Sequence, residues 1–223
     1  MQILSTTKSA STQSAVLSST YQLLGLSLIP TVIGAAIGSS LNLSFLVASP
    51  IIGSLAMFFA MMGLMWLVSA NRNSSAGVAF LFLFTFVAGL FLGPILQAAL
   101  SLANGSQLIG LAAAGTGISF ITLSAIGAST KRDLSSFGKF LTIGLIALII
   151  VSLANLFFQL SAVSLTISAL SIIVFGGLMV YDINRIVTGG ETNYIMATLS
   201  VYLNVYNMFS AVLRLLMATS SSD

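Results

Sequence analysis

Long apolar segments separated by short polar connections run through the whole chain. Seven such segments lie near residues 21–41, 47–69, 76–99, 108–128, 138–160, 163–186 and 194–217. A helix needs about 20 residues to cross about 30 Å of hydrocarbon, and each segment is long enough. A helix also satisfies its own backbone hydrogen bonds in lipid. The pattern therefore predicts an all-α integral membrane protein with seven transmembrane helices.

The two ends of the chain are more polar than the segments between them. Residues 1–20 are rich in Ser, Thr and Gln and carry one charge, Lys8. A polar segment poor in aromatic residues does not bury enough apolar surface to fold alone. We therefore expect a flexible N-terminal tail over residues 1–20, a seven-helix domain over residues 21–217 and a short C-terminal tail over residues 218–223.

Composition supports the membrane assignment and excludes several classes of function. Hydrophobic residues make up 57% of the chain and charged residues 5%, too few polar groups to cover a water-soluble globule. The net charge is +3, but the basic residues stand singly or in pairs, which does not indicate a nucleic-acid surface. The sequence has no Cys and no His, so it lacks thiolate nucleophiles, imidazole bases and the usual zinc ligands. We expect no bound cofactor, and the composition leaves the oligomeric state open.

The basic residues predict an orientation in the membrane. Six of them lie before the first segment or in alternate connections: Lys8, Arg72, Lys131, Arg132, Lys139 and Arg185. Because positive charges favour the cytoplasmic side, the N-terminus is expected in the cytoplasm and the C-terminus outside. Arg214 is the one exception, and its long side chain can reach the outer head groups.

Glycine spacing suggests which helices touch. The first segment contains Gly34 and Gly38, and the third contains Gly89 and Gly93. Two small residues four positions apart let helix backbones approach closely in a membrane. We expect both pairs to lie at helix contacts.

An acid in the sixth segment is the most informative single residue. Asp182 is placed within a long apolar run, where an ionisable group is costly and suggests a function. After it comes a break between the sixth and seventh segments, formed by Gly189, Gly190, Glu191 and Thr192. The motif continues as Asn-Tyr-Ile over residues 193–195 and Tyr-Leu-Asn-Val-Tyr-Asn over residues 202–207.

These residues resemble the signature of the Bax inhibitor-1 family, and most of all its bacterial YccA branch. The resemblance covers the seven-span layout and implies six helices enclosing a central seventh. It also implies two alternative functions in the bacterial inner membrane. One is modulation of the membrane protease FtsH, in which residues 1–20 offer the protease an unfolded handle. The other is a pH-linked calcium leak, with Ca²⁺ as the transported ion and not a cofactor.

The resemblance places the ion path or pH sensor at Asp182, Asn204 and Arg72. Family members that sense pH carry a second acid where this chain has Asn204, and an amide cannot share a proton as a second carboxylate does. A basic residue after the second helix latches the acid in that subgroup, and Arg72 is the nearest candidate here. A structural role for Asp182 stays open, with Arg185, Arg72 or Asn204 as its partner.

Two further alternatives concern the acids of this region. Glu191, beside Thr192 at the start of the seventh helix, is expected to serve as a capping acid, since helix N-termini favour negative charge. An intramembrane aspartyl protease would need a second catalytic carboxylate. The seventh segment contains no acid, and we therefore expect no enzymatic activity.

Overall fold

The protein is described by a computed structural model that covers residues 2–41 and 50–220, with side chains described for residues 11–41 and 51–220. Every regular element in these ranges is an α-helix. In chain order they are α1 (Gln2–Ser40), α2 (Pro50–Ala70), α3 (Ser75–Leu100), α4 (Gly105–Ser129), α5 (Ser135–Phe158), α6 (Ser161–Val187) and α7 (Tyr194–Ser220). All seven are long and apolar enough to cross a membrane. The predicted fold class is confirmed.

The predicted N-terminal boundary differs from the structure. Helix α1 begins at Gln2 and continues without a break to Ser40, so residues 11–20 are not a flexible tail. The hydroxyl of Thr20 donates to the carbonyl of Val16, one turn earlier, which satisfies it within the helix. Val16 and Leu17 also pack against the main core. Polarity alone therefore misplaced the start of the first helix.

The other predicted boundaries agree with the structure to within a few residues. Residues 47–49 of the predicted second segment lie outside the described residues. In the predicted C-terminal tail, residues 218–220 continue α7, and residues 221–223 fall beyond the described range.

Helix α7 is the central helix of the bundle. It packs against α1, α2, α3, α4 and α6, whereas α5 packs against α6 and α2. Near its N-terminus, consecutive residues of α7 are buried on all sides, among them Ala197, Thr198, Leu199, Val201 and Tyr202. Burial in every direction requires neighbours in every direction. Helix α5, with buried residues only at Gly138, Leu141 and Leu148, has one covered face.

Tyr202 joins three helices at the centre. Its hydroxyl lies 2.9 Å from the Thr31 hydroxyl of α1 and donates to the backbone carbonyl of Thr85 in α3 at 3.4 Å. Its ring meets that of Phe84 edge to face, with centroids 6.0 Å apart. A buried tyrosine needs a partner for its hydroxyl, and Tyr202 therefore determines how α1 and α3 sit on α7.

Helices α1 and α3 touch through their backbones, and both glycine pairs from the sequence analysis lie at this contact. A Cβ atom added to Gly34 would lie 3.0 Å from the Leu90 nitrogen, and one on Gly38 would lie 2.9 Å from the Leu90 Cα. A Cβ on Gly89 would lie 2.9 Å from the nitrogen of Ala35, and one on Gly93 would meet the backbone of Gly38. We call this contact of Gly34, Gly38, Gly89 and Gly93 the glycine seam. Residue numbers increase together along it, so the two helices run parallel.

A side chain at the seam should destabilise the bundle. We expect Gly34→Ala to lower the stability by about 1–3 kcal/mol, because an added methyl group would collide with the backbone of α3 and force the helices apart. The measurement is thermal unfolding of the purified protein in detergent. Gly25→Ala is the matched control, since Gly25 is in the same helix and its added Cβ meets nothing within 4 Å. Equal stability of the two variants would contradict the close contact.

Candidate functional site

Asp182 and Asn204 meet between α6 and α7. The Asn204 side-chain amide donates to Asp182 Oδ2 at 2.8 Å. Asn204 is 3% exposed, and Asp182 is only partly covered. The two residues that the sequence analysis singled out are therefore direct partners, and their bond connects the central helix to its neighbour. Their part in ion passage stays a prediction.

Arg72 does not latch Asp182. It lies exposed in the turn between α2 and α3, and among the described residues the one ion pair joins Arg185 to Glu191. The reason is their different positions along the bundle. Asp182 comes five residues before the end of α6, which places it roughly 8 Å inside the helix at 1.5 Å per residue. Arg72 is in a connection beyond the helix ends. Among the described residues Arg72 therefore forms no ion pair with Asp182, and a part for Arg72 in ion passage stays a prediction.

Arg185 pairs with Glu191 and not with Asp182. One guanidinium nitrogen lies 3.6 Å from Glu191 Oε2 and donates to the Gly190 carbonyl at 3.3 Å. The guanidinium carbon also lies 5.7 Å from the centre of the Tyr181 ring, within cation–π range. Arg185 thereby holds the α6–α7 turn against the end of its own helix.

The glycines of the break allow α6 to end abruptly. Gly189 has φ = 82°, a left-handed conformation that favours glycine. The amide of Gly190 donates back to the Arg185 carbonyl at 2.8 Å, as in a common helix C-terminal motif. A Cβ on Gly189 would also lie 2.8 Å from the side-chain nitrogen of Gln13. The turn therefore lies directly beside the early part of α1.

Asn193 is the residue that caps α7, and the sequence analysis missed it. Its Oδ1 accepts hydrogen bonds from the amides of Ile195 and Met196 at 3.1 and 3.0 Å. Its side-chain nitrogen donates to the Arg72 carbonyl and to Asn73 Oδ1, both at 2.9 Å. Asparagine just before an apolar helix is a recognised N-cap signal. One side chain thus starts α7 and holds the α2–α3 turn against it.

Glu191 was expected to cap α7, but it contacts the capping residue Asn193 instead. Its Oε1 accepts from the backbone amide of Asn193 at 2.9 Å, and its other oxygen faces Arg185. Thr192 is exposed. Glu191 therefore orients the capping residue and does not cap α7 itself. Groups of three or more His, Cys, Asp or Glu side chains that could hold a metal are not found in the described part of the chain.

Removing the Asn193 side chain should loosen both α7 and the α2–α3 turn. We expect Asn193→Ala to cost about 0.5–2 kcal/mol from the lost cap alone, and more from the two lost bonds to the turn. Thermal unfolding in detergent measures the change. Thr192→Ala is the matched control from the neighbouring exposed position. A stability loss confined to Thr192→Ala would show that the cap is wrongly assigned.

Comparison with known proteins agrees with this architecture. Residues 13–221 match the sequence model of the family described as "Inhibitor of apoptosis-promoting Bax1". A Neisseria meningitidis protein described as uncharacterized is 37% identical over 214 residues, which cover 95% of this chain and 94% of that protein. The Escherichia coli K12 protein named "Modulator of FtsH protease YccA" is 38% identical over 201 residues, or 90% of this chain and 89% of that one. With these matches over nearly its whole length and seven membrane-crossing helices, the chain belongs to the Bax inhibitor-1 family of multi-pass membrane proteins.

Proposed function

We propose that the protein is an inner-membrane modulator of the protease FtsH that acts by binding and not by catalysis. The observation that carries this proposal is the 38% identity over 90% of the chain to the Escherichia coli protein named as a modulator of FtsH. A second Escherichia coli relative of the same identity is named an inner membrane protein. The family and the pattern of spans also support a location in the inner membrane. The charge pattern supports a cytoplasmic N-terminus.

The first helix is long enough to reach a protease outside the bilayer. Helix α1 has 39 residues, which corresponds to about 58 Å at 1.5 Å per residue. The hydrocarbon core is about 30 Å thick, so the N-terminal part of α1 extends beyond it. We propose that this end of α1, in helical form, is what the protease engages.

The rest of the bundle would resist being pulled out. Backbone contact along the glycine seam, the bonds of Tyr202 to α1 and α3, and the Asp182–Asn204 bond all hold α7 and its neighbours together. A protein that a protease grasps but cannot extract occupies the protease and slows the degradation of other substrates. Inhibition would therefore be competitive.

Truncation of the projecting end tests this mechanism. Purified FtsH and this protein would be reconstituted together in liposomes, and the degradation rate of a reference FtsH substrate would be measured. Deletion of residues 2–10 should abolish inhibition while leaving the unfolding temperature nearly unchanged, because residues 16, 17 and 20, which pack in the core, are kept. Deletion of residues 221–223 at the opposite end is the control and should still inhibit. Full inhibition by the protein that lacks residues 2–10 would move the contact to the spans or connections.

A calcium leak is the second candidate function, and one observation favours it. Asp182 places a carboxyl group inside a membrane-crossing helix, where such groups commonly mark ion pathways. Its partner is Asn204, so the protein has a single acid at this contact and not a pair of acids. The calcium leak can therefore be tested by changing Asn204.

Asn204→Asp should make any calcium leak depend on pH. Two carboxyl groups at a contact of 2.8 Å repel each other when both are ionised, so the variant has two coupled titrating groups where the unmodified protein has one. Calcium flux from loaded proteoliposomes would be recorded between about pH 6 and pH 8, a window well above the reference value for Asp. Asn207→Asp is the matched control, because Asn207 bonds to the Leu203 carbonyl of its own helix. Flux no greater than in protein-free liposomes would exclude the leak.

A further inference from the structure

A polar cleft lies where the α4–α5 connection meets the end of α6. Its volume is about 540 Å³. Lys131, Asp133 and Ser135 line it from the connection and the start of α5, and Tyr181, Arg185 and Thr188 line it from α6 and the residue after it. Apart from Tyr181, which lies six residues before the end of α6, these groups are at or near helix ends, so the cleft is at the edge of the membrane-crossing part of the protein.

The positive charges of this cleft are less completely paired than its negative charge. The ammonium group of Lys131 has no hydrogen bond or ion pair to any residue that the structure describes. Arg185 makes one long ion pair at 3.6 Å and one hydrogen bond at 3.3 Å, which leaves further guanidinium N–H groups for a ligand. The two cations come from different parts of the chain and line the same space.

The acid in the cleft is already engaged. Asp133 Oδ1 accepts from the Ser135 amide at 2.8 Å and from the Ser135 hydroxyl at 2.5 Å. These bonds hold the pKa of Asp133 below its ordinary value. The nearby acids Asp182 and Glu191 do not line the cleft. A divalent cation would need several free oxygen ligands, and the cleft does not offer them.

The walls of the cleft are held in place without a ligand. The Tyr181 ring lies against Gly138 of α5, so closely that a Cβ at Gly138 would collide with the ring. Asn184, next to Arg185 in α6, donates to the Thr130 carbonyl at the end of α4 at 2.6 Å. Because α4, α5 and α6 are tied together here, the backbone segments that carry the two cations are held close to each other before a ligand binds.

We propose that this cleft binds the phosphate group of an anionic ligand. Arginine presents a fork of donors that matches phosphate oxygens, and lysine adds a compact positive charge. Ser135 and Tyr181, which also carry hydroxyl groups, line the same space. The phosphate can belong to an anionic phospholipid head group, since the cleft is at the edge of the membrane-crossing helices, or to a soluble phosphate. The FtsH proposal does not depend on this site.

Two neighbouring cations provide a matched pair of variants. Lys131 lines the cleft, whereas Arg132 is also exposed but does not line it. Lys131→Gln and Arg132→Gln each remove one positive charge from adjacent positions, so a general attraction between basic loops and anions would be weakened equally in both. Binding in the cleft would be weakened by Lys131→Gln alone. Unfolding temperatures would confirm that both variants are folded.

Two probes distinguish the sources of the phosphate. In the first arm, phosphatidylglycerol and phosphatidylcholine are titrated into the detergent-purified protein and bound lipid is measured by native mass spectrometry. In the second arm, the unfolding temperature is measured in sodium phosphate and in sodium chloride of equal ionic strength, which removes general screening. Loss of one charge-assisted contact should weaken the affinity about tenfold.

Each arm has its own result that supports the proposal. Phosphatidylglycerol binding that weakens about tenfold in Lys131→Gln and stays unchanged in Arg132→Gln supports a lipid head group. The same difference between the variants in the phosphate arm supports a soluble phosphate. Equal effects of the two substitutions in both arms, or no preference for either probe in the unmodified protein, would overturn the proposal.

Discussion

Polar side chains on the central helix must find partners inside the protein, and the arrangement of the bundle follows from that requirement. An unsatisfied polar group in hydrocarbon costs several kcal/mol. Tyr202 bonds to Thr31 of α1 and to the α3 backbone. Thr198 bonds within α7 and reaches the Thr20 carbonyl of α1 at 3.3 Å. Asn204 bonds to Asp182 of α6. These bonds relate α7 to α1, α3 and α6, so together they determine its depth and rotation.

The glycine seam makes these polar bonds geometrically compatible. Thr31, which bonds to Tyr202, is also a backbone neighbour of Gly89 across the seam. If α1 and α3 stood apart at an ordinary helix spacing, Tyr202 could not reach the Thr31 hydroxyl and the Thr85 carbonyl together. Close backbone packing and side-chain hydrogen bonding are therefore two parts of one constraint. Residues on the outer surface of the bundle, such as Trp66 and Phe140, are not subject to this constraint and are exposed.

The sequence predicted the features that depend on local pattern. The number of spans followed from the length of the apolar segments, and the four-residue spacing of Gly34, Gly38, Gly89 and Gly93 predicted that each pair lies at a helix contact, though not that the two pairs meet each other. The proximity of Asp182 and Asn204 came from the family resemblance. Errors arose where depth and partner choice depend on the folded bundle. Arg72 follows its helix in sequence as expected, but it does not lie at the same level of the bundle as Asp182. The local sequence pattern does not show this difference.

Two smaller errors have the same kind of cause. The Ser- and Thr-rich start of α1 resembled a tail, because hydroxyl groups look polar in a composition but can bond back to their own helix. Asn193 was detectable as an N-cap, yet its second contact, with the α2–α3 turn, joins residues about 120 positions apart. The sequence around such a residue can reveal its role as an N-cap. It cannot reveal a contact with a distant turn.

The parallel course of α1 and α3 has a mechanical consequence. A force that pulls the N-terminus along the axis of α1 loads the glycine seam in shear, since the contacts lie side by side along the direction of pull. Contacts loaded in this way give way together, whereas contacts at a peeled edge give way one after another. The same force also acts on the α6–α7 turn, because Gln13 lies beside Gly189. A pull on the N-terminus of α1 is thus resisted both along the glycine seam and at the α6–α7 turn.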